Sequence, residues 1–116
     1  MNEHLLFMLC SPDIEEAVVD WLLERDDIGG FTSVPASGHG SSSHAMSIAE
    51  QVVGRRRQTM FIVQADHMTA LNLLESVLEH FGGTGLHYWL LPLAASGHLE
   101  RNTVREVNGT TGKLED

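Results

Sequence analysis

"HLLFMLCSPDIEEAVVDWLLERDD", residues 4 to 27, sets a strand signal directly before a helix signal. Residues 4 to 10 form a continuous apolar run of strand length. Ser11 then stands where a helix N-cap belongs, Pro12 suits the first helical position, and Asp13, Glu15 and Glu16 complement the positive end of the helix dipole. Ile14, Ala17, Val18, Trp21 and Leu22 recur at i, i+3, i+4, i+7 and i+8, which predicts one apolar helix face; Gly29 and Gly30 close it. "FTSV", residues 31 to 34, reads as a second strand.

The same order returns downstream. "QTMFIVQA", residues 58 to 65, reads as a third strand, and Asp66 caps a predicted helix with Ala70, Leu74, Val77, Leu78 and Phe81 on its apolar face. "GGTG" ends that helix, and "LHYWLLPL", residues 86 to 93, supplies a fourth strand whose Pro92 points to an edge or a strand end. Two split βαβ units of this length predict an α+β ferredoxin-like βαββαβ sandwich, with both helices on one face of a four-stranded antiparallel sheet. One domain over residues 1–99 is expected, carrying an insertion at 36–54 and followed by a polar tail at 100–116.

Strand parity carries a consequence for assembly. Leu5, Phe7 and Leu9 face one side and Leu6, Met8 and Cys10 the other; Met60 and Ile62 oppose Phe61 and Val63, and Tyr88 and Leu90 oppose Trp89 and Leu91. Two helices cover one face only, so the second apolar face predicts a homo-oligomer, the alternative being that the tail from Ser96 onward folds over it.

The formal net charge of −9 disfavours nucleic acid and anionic membrane surfaces as partners. Three of the seven basic residues, Arg55, Arg56 and Arg57, are consecutive, and strand alternation sends Arg55 and Arg57 to one face and Arg56 to the other. Such a pair either clamps a phosphate or carboxylate or pairs with acidic side chains. His39 and His44, joined by a GSSS link, form a candidate chelate for a divalent transition metal that needs further ligands; the alternative is two solvated loop histidines. The remaining histidines are dispersed over strands, helix and tail. Gly83, Thr84 and Gly85 could present main-chain N–H groups to an anion, or simply end a helix. The single Cys10 excludes an internal disulfide and reads as core, which with the absence of a signal-peptide pattern and of a membrane-length apolar run makes the cytoplasm the expected compartment, with no membrane insertion. There is no phosphate-loop lysine motif, no GxSxG elbow and no distinct carboxylate pair, so no enzyme is expected.

Double βαβ with a long excursion between strands two and three and a glycine turn before strand four resembles the PII signalling superfamily over residues 3 to about 99. "HGSSSHAMSIAEQVVGRRRQTMFIV" is most similar to the small PII-like family encoded beside heavy-metal efflux systems. The resemblance implies a trimer with its sheets inward, a signalling T-loop at 36–54, a B-loop at 82–86, and intersubunit clefts for a small ligand such as an adenine nucleotide or a metal. It also implies a protein partner, such as a metal-efflux component. Where the superfamily's B-loop has a phosphate-binding lysine this chain has Leu86 and His87, and the loop has no tyrosine for uridylylation, which counts against ATP. The related CutA-type trimers, which associate with divalent metals, and small ferredoxin-like enzymes are the alternatives.

Overall fold

The computed structural model describes residues 2–40 and 56–99. The chain runs through β1 (Glu3–Cys10), a short 3-10 turn (Pro12–Ile14), α1 (Glu15–Leu23), β2 (Thr32–Gly38), β3 (Arg56–Asp66), α2 (His67–Phe81) and β4 (His87–Pro92). The strands pair antiparallel in the order β2-β3-β1-β4. This is the expected ferredoxin-like βαββαβ order, with the two apolar runs of β1 and β3 at the centre. Pro35 and Pro92 lie on the two edge strands, where a missing main-chain N–H can face away from the ladder.

Register decides which side chains share a face. Leu6 opposes Val63, Met8 opposes Phe61 and Cys10 opposes Thr59, and all six are buried. Val18 and Leu22 from α1 and Ala70, Leu73, Val77 and Phe81 from α2 complete this core. Trp21 meets Phe81 edge to face at 5.5 Å between ring centres, tying the helices together.

Three local expectations change. Ser11 contributes its main-chain carbonyl to the first turn, accepting from the Ile14 N–H at 3.3 Å, and makes no side-chain cap. α1 stops at Leu23, well before the glycines, and just beyond its end Arg25 clamps Asp27 through two hydrogen bonds of 3.0 and 2.7 Å. Residues two apart do not face each other on a helix, so this pair requires the chain to have left it, with Arg25 over the Trp21 ring. In α2 the buried seam passes through Leu73, while Leu78 is 48% exposed. At 100° per residue Val77 and Phe81 fall within about 20° of Ala70, whereas Leu78 lies about 80° away.

The cap on α2 is made as expected: the Asp66 carboxylate accepts from the Thr69 N–H at 2.8 Å. That bond holds the Asp66 carboxyl below its ordinary value. A depressed folded pKa contributes stability above the unfolded value, and that contribution fades as pH falls through the folded one. Urea unfolding of Asp66→Asn between pH 2 and 7 should therefore show a shallower acid loss than the parent, because asparagine still caps but does not titrate.

The opposite sheet face carries Leu5, Phe7 and Leu9 beside Met60, Ile62, Trp89 and Leu91. Among the described residues no helix packs here, and Val34, Trp89 and Leu91 are 41%, 41% and 47% exposed. The Gln64 amide donates to the Ser96 hydroxyl at 3.1 Å at the margin of this face, so the chain after β4 borders the patch while those side chains stay open. Among the described residues no helix is long and apolar enough to cross a membrane.

Candidate functional site

β2 and β3 outrun the rest of the sheet. β1 ends where Cys10 opposes Thr59, but β2 and β3 continue through Ala36–Gln58, Ser37–Arg57 and Gly38–Arg56. These three pairs make a two-stranded arm, longer than the strands expected at 31–34 and 58–65, so the insertion at 36–54 begins on paired backbone. His39 follows the arm directly and is exposed; His44 and Arg55 lie outside the described residues.

At the arm's base, on the helix side of the sheet, an open groove of about 380 Å³ is lined by Pro12 and Glu15 on one wall and by Pro35, Ser37, Arg57 and Thr59 on the other. Thr59 is 7% exposed, and its hydroxyl donates to Glu15 Oε1 at 2.9 Å. This bond fixes the carboxylate at the groove wall, so the groove offers a cation, an anion and a hydroxyl within one small concavity. Arg56 belongs to the other sheet face, as alternation requires, and does not join Arg57 there. Beneath the groove Cys10 is 1% exposed, and burial, aided by the Glu15 charge, pushes its thiol up to about 11. A thiol so placed is a core side chain at neutral pH, as the sequence indicates.

The glycine turn sits at the same end of the sheet. Gly83 and Gly85 have φ of 87° and 83°, in the left-handed region where a side chain would strain the backbone. Thr84 closes the turn: both its N–H and its hydroxyl donate to the Phe81 carbonyl, at 3.2 and 2.7 Å. β4 then starts beside Leu9, with β1 between it and β3, so β4 lies about 10 Å, two strand spacings, from the β3 strand of the arm.

Comparison with known proteins places this geometry. The family profile described as a protein of unknown function, DUF3240, matches residues 1–100. The chain belongs to the DUF3240 family. A solved DUF3240 protein from Shewanella baltica OS155 is 22% identical, with a TM-score of 0.69 over 86% of this chain and 99% of that one. A proposed PII-like signaling protein from Thermus thermophilus is 18% identical, with a TM-score of 0.55 over 80% of this chain and 90% of its own. A protein of unknown function from Pediococcus pentosaceus ATCC 25745 is 13% identical, with a TM-score of 0.54 over 87% and 98% of the two chains. No curated protein matches the chain. The DUF3240 fold is thus shared with a PII-like neighbour.

Two contacts of this DUF3240 chain had no signal in the sequence. The Glu15–Thr59 bond joins residues 44 apart. The histidines read as dispersed include one pair in contact: His4 Nε2 and His67 Nδ1 are 3.3 Å apart. Only the β1–β3 register brings the start of α2 beside the start of β1.

Proposed function

We propose that the protein is a non-enzymatic, PII-like regulator that works as a homotrimer with its open sheet faces inward. A small ligand, either an anion such as an adenine nucleotide or a divalent transition metal, binds where the arm base of one subunit meets a neighbour. It orders the 36–54 insertion, which then engages a partner protein, such as a component of metal efflux. The observation that carries this reading is the two-stranded arm with Arg57 in the groove at its base, placed at the same end of the sheet as the Gly83–Thr84–Gly85 turn. The apolar open face supports the inward sheets. Membership of DUF3240 and a fold shared with a PII-like protein are consistent with it.

Ligand choice follows from the charges. Arg57 suits a phosphate or carboxylate, with Glu15 opposite it limiting the negative charge the groove accepts. Titration with ADP, ATP, AMP and zinc, followed by hydrogen exchange over 36–54, tests the switch. Protection of that segment by one ligand class is expected; Arg57→Ala should weaken an anion at least about tenfold, the loss expected of a charge-assisted hydrogen bond. His39→Ala/His44→Ala should abolish the response if metal acts at the insertion. No protection with any of these ligands would remove the switch.

A further inference from the structure

We infer that His4 and His67 form a two-histidine site for a divalent transition metal, at the end of the sheet opposite the arm. His4 is the second residue of β1, on its helix-facing side, and His67 is the first residue of α2. The tautomer of His4 is set by its surroundings. Its Nδ1 lies 3.3 Å from the Asn2 carbonyl oxygen, which can only accept, so Nδ1 carries the proton and Nε2 presents its lone pair toward His67. A ring N–H tied to a main-chain carbonyl is the support that orients metal-ligating imidazoles.

The distance fits coordination. Two imidazole nitrogens, each bound about 2.05 Å from a tetrahedral zinc, stand about 3.3 Å apart. The observed Nε2–Nδ1 separation is 3.3 Å. The rings are tilted rather than stacked, their centres 4.8 Å apart and their planes inclined by 51°.

Without metal, the His67 Nδ1–H donates to His4 Nε2. On binding, His67 moves its proton to Nε2, and both facing lone pairs take the metal. Asp66, beside His67, supplies negative potential at a helix end that would otherwise repel a cation, although its carboxylate is engaged with Thr69. Glu3 is likewise engaged, with Gln64. No group of three or more metal-ligating side chains gathers among the described residues, so water completes the shell. Imidazole donors with water select copper, nickel, cobalt or zinc over magnesium or calcium.

Calorimetric titration of the full chain with zinc chloride, and cobalt(II) absorption, test the site. His4→Ala and His67→Ala should each weaken binding at least about tenfold, the lower limit of what loss of even an outer-shell partner typically costs. The double variant should lose little more than either single one, since both remove the same chelate. His39→Ala/His44→Ala should leave this binding intact, which separates it from metal at the insertion. In wild-type protein, saturating zinc should shift the His4 Nε2 and His67 Nδ1 NMR resonances, a readout independent of how the variants fold. Unmoved resonances, absence of zinc binding, or parent affinity in folded His4→Ala would overturn the proposal and leave the pair as a hydrogen bond.

Discussion

Trp89→Glu is expected to leave the fold in place and, if the protein is the homotrimer proposed above, to separate it into monomers. Trp89 opposes Phe7 in the β1–β4 ladder, and Phe7 in turn opposes Ile62, so the indole lies in an apolar row on the open face. With 41% of Trp89 exposed in the single chain, a carboxylate there meets water, and the core on the other face is untouched. Buried between subunits, the same carboxylate would lie in a row with Phe7 and Ile62 and have the His87 imidazole, whose ring lies 4.4 Å from that of Trp89, as its neighbouring titratable group, and desolvating it costs several kcal/mol. Each 1.4 kcal/mol is a factor of about ten in a dissociation constant, so the loss of assembly should be evident at micromolar protein. Sedimentation velocity with circular dichroism checks both halves. A monomeric parent, or a variant of unchanged mass, would show that the open face is not the interface.

Leu73→Ala should destabilise the protein by about 2–5 kcal/mol, while Leu78→Ala should cost less than about 1 kcal/mol. Leu73 is fully buried among the β1, β3 and α1 side chains of the core, and truncation leaves a cavity that its close-packed neighbours can only partly fill. Leu78, 48% exposed, leaves no such void. The comparison is made by urea denaturation of the two variants, with the difference in midpoint at unchanged slope as the readout. Equal costs would mean that α2 is rotated from the seam described above.

Leu73 also shows where sequence periodicity stops. The apolar residues of α2 occupy a broad arc, and both i+3 and i+4 steps from Ala70 reach a leucine. Either path satisfies a helical period; only packing into the core shared with β1, β3 and α1 chooses between them. The Asp66 cap was readable because capping is decided within three residues. The end of α1 was not, since the glycines mark a stop that the Arg25–Asp27 clamp and the Trp21 stack anticipate.

For the candidate site, the arginine split and the glycine turn follow from strand alternation and left-handed backbone, both local properties. The length of the arm does not, because "PASG" has little strand propensity and pairs only through its ladder with β3.

By itself the sequence determined the order βαββαβ, the two apolar faces of the sheet and the burial of Cys10, because each rests on periodicity within one segment. Tertiary structure decided the groove of Glu15, Thr59 and Arg57 and the meeting of His4 with His67. Those contacts join residues 44 and 63 apart, and their partners are set by antiparallel register, which shifts every pairing together and leaves no mark on any one segment.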